Sequence, residues 1–383
     1  MTHILIVSEP GIDGVFRHVE GLIHYLLESG VKVDFAYSST RAGPTLIELV
    51  HNVKAAGGES IDLATSNAPS IKDLRALIRL RAFVQRRQPN VIHGHSSKAG
   101  ALVRLLPIQK HIRRYYTPHA YYGMGGNKGL KASVFNVIEQ LLGNCGRTIH
   151  LSPEESDFAK STLRLTKAES IIIPNGVDFS LFRPCTSTSE RLQIRQELGI
   201  VPDDIVIGSI GRLSYQKDPG TLYRAFAHFR RNTKNTDNVK LLHVGNGEVK
   251  DTVELTELAE QLEITEHIIR PPYRTDPEVF YRAMDAFCLS SRYEGLPYTG
   301  LEALASNLPL ILADSPGLKS FGNIQYGFNQ VYYGKTECPQ SIANAMQQWF
   351  KAKHITTEHR ALAEQHFSIQ VACRQILELY QTE

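Results

Sequence analysis

Short apolar, β-branched runs alternate along the whole chain with stretches whose apolar residues recur every three or four positions. The runs of the first half are "HILIV" (3–7), "VKVDFAY" (31–37), "NVIHG" (90–94), "RRYYT" (113–117), "RTIHL" (147–151) and "SIIIP" (170–174). The second half repeats the plan with "IVIGSI" (205–210), "VKLLHV" (239–244), "HIIR" (267–270), "DAFCLS" (285–290) and "LPLILA" (308–313). Between the first two runs, Val19, Leu22, Ile23, Leu26 and Leu27 line one face of a helix that Gly30 ends. Strand–helix alternation of this kind packs as parallel sheets with helices on both faces. The pattern predicts two doubly wound α/β domains.

The join is expected near "PNGVDFSLFRPCTSTSE" (174–190), where an Asn-Gly turn, two prolines and small polar residues interrupt the alternation. A length of 383 residues also exceeds what one ordinary core organises. One domain is therefore expected at 1–178 and a second at 179–365. Ligands of such folds bind at the carboxyl ends of the strands, which makes the cleft between the domains the expected site.

Composition narrows the class. With 42% hydrophobic and 21% charged residues the chain has a globular profile. It holds no apolar run near the roughly 18 residues of a membrane span, and no signal-peptide pattern. The five cysteines (Cys145, Cys185, Cys288, Cys338 and Cys373) are scattered and form no CxxC pair. A reducing, cytoplasmic setting is expected, and a structural zinc site is not. The net charge of +3 is uneven: residues 1–178 carry 21 Lys and Arg against 15 Asp and Glu, +6, and the remainder 21 against 24, −3. From Lys72 to Arg114, eleven basic residues face one acid, Asp73. Such a run is either a solvated helix face or a surface for an anionic acceptor or an acidic membrane leaflet. No nucleic-acid-binding motif accompanies it, so no nucleic-acid partner is expected.

Five segments offer chemistry. In "SEPGIDGVFRHVEG", Gly11 and Gly14 precede a helix and either aim backbone amides at an anion or simply make a tight turn. In "IVIGSIGRLSYQKDP", Arg212 and Lys217 follow a strand on a short loop. As fork and mobile point charge they suit a diphosphate; the alternative is two surface cations. In "SSRYEGLPYTGLEALASNLPLI" (290–311), seven residues separate Glu294, in a strand-to-helix loop, from Glu302, in the first turns of the helix. Carboxylates pair with vicinal hydroxyls, so a sugar ring and a ribose are natural targets, the alternative being acids held by a helix dipole. "YYTPHAYYG" sets His119 after a strand, ringed by Tyr115, Tyr116, Tyr121 and Tyr122, where it can donate to a hydroxyl or phosphate oxygen. "HGHSSKAG" offers His93, His95 and Lys98, but the two histidines share a face without a third ligand, so no metal site is expected.

Taken in this order, the segments resemble the retaining GT-B glycosyltransferases of family GT4, the group 1 glycosyl transferases. The resemblance is carried by Gly14 to Val19 as GxxxHV, "TPHA" around His119, and "IIIPNGVDFSLFRP" at the junction. It continues through "GRLSYQKDP" from Gly211, "HVGNGE" from His243, and "EGLPYTGLEALASNLPLI" with the family's E-x7-E pair. It spans essentially the whole chain. The implied fold is GT-B: two Rossmann-like doubly wound parallel-sheet domains facing across a deep cleft. The first would bind acceptor and the second the nucleotide-sugar donor, with a C-terminal helix (366–383) crossing back to the first.

The resemblance also implies roles. Gly14 would lend an amide to the donor diphosphate, and Arg212 and Lys217 would neutralise that group as it leaves. His119 would contact the donor sugar near the reacting carbon. Glu294 would hold the sugar hydroxyls, helped by the loop Gly295, Leu296 and Pro297, and Glu302 the ribose diol. His95, Lys98 and Tyr121 are the candidates on the acceptor side. No cofactor and no essential metal are implied, and the chain has no D-x-D. The implied partners are a nucleotide-sugar donor and a saccharide or lipid-linked saccharide acceptor; the basic run from Lys72 to Arg114 adds the expectation of an acidic membrane surface met peripherally on the cytoplasmic side. The chain departs from the family in Asp13-Gly14 for Gly-Gly, Asn307 for a common glycine, and Lys319 and Ser320 where an acid is usual. Two other readings stay open: a GT-B-fold epimerase or phosphorylase, and a catalytically silent nucleotide-sugar-binding subunit.

Overall fold

The computed structural model describes residues 2–9, 11, 13–65, 70, 72–109, 111–125, 129–272, 274–323 and 326–382. The chain forms two compact units, Met1–Gly176 with Ile369–Glu383, and Val177–Ser368. The divisions thus lie two or three residues from those expected at 178/179 and 365/366.

The strands of the first unit are β1 (His3–Ser8), β2 (Lys32–Tyr37), β3 (Ser60–Asp62), β4 (Val91–His95), β5 (Arg113–Thr117), β6 (Arg147–His150) and β7 (Ser170–Ile172). Its helices are α1 (Asp13–Glu28), α2 (Pro44–Ala55), α3 (Lys72–Arg87), α4 (Ser96–Leu105), α5 (Leu130–Leu142) and α6 (Pro153–Ser161). All strands pair in parallel, in the order β3-β2-β1-β4-β5-β6-β7. Successive β1 residues point to opposite faces of the sheet, and each face has its own core. Ile4 and Ile6 pack with Val19, Leu22, Ile23 and Leu26 of α1. Leu5 and Val7 pack with Leu80 and Phe83 of α3 and Leu102 and Val103 of α4.

In the second unit, α7 (Thr188–Glu197) leads into β8 (Ile205–Ile210), α8 (Pro219–Asn232), β9 (Val239–Val244), α9 (Val249–Gln261) and β10 (Ile268–Ile269). Then come α10 (Glu278–Ala283), β11 (Ala286–Leu289), α11 (Tyr298–Ala305), β12 (Leu310–Ala313), β13 (Val331–Gly334), α12 (Pro339–Ala352) and α13 (His359–Phe367). The strand order, β10-β9-β8-β11-β12-β13, repeats the first sheet's, and every pair is parallel. Every strand expected from the pattern is present. The segment at 267–270 shortens to two residues, and β3 and β13 are additional: three- and four-residue edge strands are too short to show a period.

The last helix, α14 (Ile369–Gln381), returns to the first unit. Cys373, Ile376, Leu379 and Tyr380 join the core that α1 covers. Gly21 of α1 makes room for it: a Cβ there would stand 2.3 Å from Ile369 Cδ1. Polar groups fix the helix end, with Arg113 Nη2 donating to the Tyr380 carbonyl at 2.6 Å and Tyr115 Oη to that of Leu379 at 3.1 Å. Ile376, 1% exposed, lies in this contact. Ile376→Ala should therefore cost about 2–4 kcal/mol in denaturant unfolding, the range of buried large-to-small changes. A loss under about 0.5 kcal/mol would mean that α14 is not packed as described.

Candidate active site

In a doubly wound sheet the strand order reverses between the first strand and its later neighbour, and the loops that follow those two strands flank the switch point. In the second unit these are β8 and β11. The loop after β8 carries Arg212, Gln216 and Lys217, and the loop after β11 carries Glu294. They meet. Lys217 Nζ donates to Glu294 Oε1 at 2.6 Å, and Gln216 Nε2 donates to Glu294 Oε2 at 3.2 Å and to the Tyr293 carbonyl at 3.1 Å. Both oxygens of the buried Glu294 are thus oriented by the opposite loop. Arg212 lies exposed at the start of that loop.

Below the pair, Ser290 Oγ donates to the carbonyls of Lys217 and Asp218 at 3.0 and 2.9 Å, joining the two loops a second time. Asp218 takes a left-handed conformation, φ 50°, and caps α8 by accepting from the Thr221 amide. A small pocket at the strand ends is lined by Ser209, Gly211, Lys217, His243, Leu289 and Ser290. Burial, with Arg270 nearby, lowers His243 to about 4 and leaves its ring neutral.

Glu302 sits on α11, 1% exposed, and accepts from Tyr281 Oη at 2.6 Å. Pro297 cannot help as a donor. It has no N–H, and its carbonyl instead accepts from Gly300 and Leu301, so the loop's N–H groups are those of Gly295 and Leu296. Gly317 explains how the loop is held. At φ +79° it presses against the backbone of Glu294, where a Cβ would lie 2.3 Å from the carbonyl oxygen. Asn307 occupies the left-handed region at φ 59°, which asparagine tolerates. Its Oδ1 then accepts from the amides of His359 and Arg360 at the start of α13, a use that a glycine cannot offer.

The first unit gathers a different set around its own switch point, β1 and β4. Gly14 is in the first turn of α1, among the four amides that lack an intrahelical acceptor. His95 ends β4, and His119 follows β5 at φ 56°, with Ala120 at 77°. Glu155 holds this unusual turn by accepting from the amides of Ala120 and Leu151 at 2.6 and 2.7 Å. His95 Nδ1 and His119 Nε2 are 3.2 Å apart, and the His18 ring of α1 lies tilted against His95 and edge-on to His119, centroids 5.2 and 4.9 Å away. Lys98 Nζ is engaged by both oxygens of Asp73, at 2.9 and 3.0 Å. Tyr121 is 2% exposed and bonded to His150 at 3.1 Å, which places its ring inside the domain rather than facing an acceptor. Gln216, Tyr281 and Glu155 were not legible as site residues. Only Glu155 carries a local signal, the Ser-x-x-Glu of a helix start at Ser152.

Two family models cover most of the chain: Glycosyltransferase Family 4 over residues 12–181 and Glycosyl transferases group 1 over residues 190–366. The chain belongs to the group 1 glycosyl transferases of family 4. An Escherichia coli relative, UDP-Gal:alpha-D-GlcNAc-diphosphoundecaprenol alpha-1,3-galactosyltransferase, is 27% identical over 66% of this chain and 64% of its own length. The alpha-monoglucosyldiacylglycerol synthase of Streptococcus pneumoniae is 31% identical over 47% of this chain and 40% of its own length. The chain thus spans less than two thirds of either relative. Among solved structures, this glycosyltransferase is similar in fold to sucrose-phosphate synthase from Thermosynechococcus elongatus (TM-score 0.80, 19% identity, 100% of this chain and 98% of that one). It is equally similar to Anabaena HepE in complex with UDP and glucose (TM-score 0.80, 18% identity, 100% of both chains). Its two parallel-sheet, Rossmann-like domains are those of the GT-B class.

Burial lowers His18 to about 4, against its bond to Asn175, and holds His93, His95 and His119 well below the ordinary value, their mutual repulsion adding to it. Below pH 6.5 the unfolded chain protonates these rings before the folded one does, so stability falls with acid. Each such ring adds up to about 1.4 kcal/mol per pH unit. Glu155, raised by burial to about 7, and Glu20, also raised by burial, act in the opposite sense, but burial lowers His150, His243, His267 and His359 as well, which sets two groups against eight. The thermal unfolding midpoint should accordingly drop between pH 7 and pH 5.5. A flat or rising midpoint would show that the histidines titrate normally.

Proposed function

We propose that this glycosyltransferase moves a hexose-type sugar from a nucleotide diphosphate to a saccharide acceptor with retention at the anomeric carbon, and needs no metal to do so. The acceptor would be lipid-linked and the product part of a cell-surface polysaccharide. The observation that carries this reading is the meeting of Lys217 and Glu294 at 2.6 Å across the switch point of the second sheet. A cation that takes leaving charge and a carboxylate that holds sugar hydroxyls must stand a few ångströms apart, because the scissile bond joins the sugar to the phosphate. Support for the donor and acceptor classes comes from the E. coli relative, named for UDP-Gal and a diphosphoundecaprenol-linked sugar, and from HepE, which was solved with UDP and glucose.

In the proposed step the bond between the anomeric carbon and the phosphate oxygen breaks while the acceptor oxygen bonds to the same face of the sugar. The departing phosphate takes the acceptor's proton. Arg212 and Lys217 would stabilise the diphosphate charge, a contribution of several kcal/mol where water is excluded. Glu294, oriented by Gln216, would hold the sugar, and Glu302, oriented by Tyr281, the ribose. His119 would contact the sugar near the reacting carbon and Gly14 the diphosphate. Neither carboxylate is assigned as a nucleophile, since both are committed to binding.

Lys217→Ala and Glu294→Gln should each lower kcat/KM for transfer from a UDP-sugar about 100- to 1000-fold, while EDTA leaves the wild-type rate unchanged. Nucleotide release with a panel of UDP-, GDP- and dTDP-sugars reads both. Full activity in either variant, or abolition by EDTA, would sink the reading, and donor binding without turnover would favour the silent subunit.

About half of the basic run of the first unit is structural. Arg87 pairs with Asp34 and Glu59, Arg104 with Glu139 and Lys98 with Asp73, and Arg113 donates to a carbonyl of α14. What faces solvent is one side of α3: Lys72, Arg75, Arg79 and Arg81, with Leu74 and Ile78, 59% and 60% exposed, one turn apart between them. Apolar residues flanked by arginines suit the surface of an anionic bilayer, each cation adding about 1 kcal/mol there. The chain should float with vesicles containing anionic lipid and not with neutral ones, and Arg75→Glu with Arg79→Glu should abolish flotation. Equal behaviour in both vesicle types would remove the membrane from this proposal.

A further inference from the structure

His93 and His95 lie two apart on β4 without a third ligand beside them in sequence, but the fold brings two other histidines to His95. His18, His95 and His119 each place a ring nitrogen within 4.8 Å of the other two. His95 Nδ1 and His119 Nε2 stand 3.2 Å apart. Two imidazole nitrogens bound at about 2.05 Å to one tetrahedral zinc stand about 3.3 Å apart, so this pair is already at chelating distance.

The surrounding hydrogen bonds suit a ligand set. His18 Nδ1 faces Asn175 Oδ1 at 3.0 Å, so Nδ1 carries the hydrogen and the lone pair sits on Nε2. That Nε2 is buried and has no hydrogen-bond partner among the described residues, whereas His95, binding through Nδ1, would carry its hydrogen on Nε2. An outer hydrogen bond that sets the tautomer is the usual companion of a metal-binding histidine. His93 plays a different part. Its two nitrogens are taken by Tyr380 Oη at 2.5 Å and Thr117 Oγ1 at 2.9 Å, and its ring backs His95 with centroids 4.0 Å apart.

We infer that His18, His95 and His119 form a site for one borderline-soft divalent cation, zinc or a neighbouring first-row ion, with a fourth coordination position open. Three neutral imidazoles and no carboxylate favour such ions over magnesium or calcium. Formation of the site rests on ring geometry alone. Its consequence rests on the function proposed above: an ion on His119 occupies the nitrogen that would face the donor sugar, so it inhibits transfer rather than serving it.

Equilibrium dialysis of the tag-free chain against zinc, with cobalt as an optical probe, tests the site apart from activity. One ion per chain and a strong tetrahedral cobalt band are expected. His18→Gln and His95→Gln should each weaken binding at least tenfold, and Asn175→Ala, which removes no ligand, about tenfold. Circular dichroism and unfolding midpoints establish that each variant is folded. Absence of stoichiometric binding, or an affinity unchanged from wild type in folded His18→Gln or His95→Gln, would overturn the site. Zinc should also inhibit transfer in the concentration range in which it binds. Stoichiometric binding with an unchanged transfer rate would leave the site standing and overturn the assignment of His119 to the donor.

Discussion

Lys217 and Glu294 are 77 residues apart in the chain and 2.6 Å apart in space, a closeness that follows from one feature of the sheet. β8 lies beside β11 because β9 and β10 build outwards on the other side of β8 before the chain returns. Parallel strands all point the same way, so the loops that leave β8 and β11 emerge at the same edge with no strand between them. Everything else in that site elaborates the juxtaposition: Gln216 orients the carboxylate, Ser290 ties the loops, and Gly317 lets a third segment lie against Glu294.

The first sheet has the same order and fills its switch point with imidazoles in place of an ion pair. α1 begins after β1 and supplies His18, β4 ends in His95, and the turn after β5 supplies His119. Four rings packed within a few ångströms would repel one another if charged, and burial removes the charge. That neutrality makes the cluster compatible with a dense core and leaves lone pairs on buried nitrogens. The cost is sensitivity to acid, since each ring that the unfolded state can protonate shifts the balance towards it. His93 joins this cluster to α14 through Tyr380, so the chain's last helix supports the same site that its first helix enters.

Charge in this glycosyltransferase is mostly used in pairs. Asp34, fully buried, accepts from His3, from two nitrogens of Arg87 and from the Glu59 amide, and these donors outweigh burial and hold its carboxyl well below the usual range. Arg104 is buried against Glu139 and stacks on Tyr116, 3.9 Å from the ring centre. Pairs of this kind leave little net field, and they convert a sequence that looks uniformly basic into one exposed stripe on α3.

Strand–helix alternation, the two-domain division and the family motifs were all legible in the sequence, because buried parallel strands must be continuously apolar and the motifs are contiguous segments. Arg212, Lys217 and Glu294 could be named because each lies on the loop that follows a strand, and Glu302 because it closes the same contiguous motif as Glu294. Which residues touch is another matter. Gln216 on Glu294, Tyr281 on Glu302 and Glu155 under the His119 turn come from distant segments, and no spacing along the chain encodes those distances. The sequence shows histidines at 18, 95 and 119 as separate residues on separate elements. Only the order of strands in the sheet decides that their nitrogens share one small volume, since a parallel sheet ranks its strands by topology and not by position in the chain.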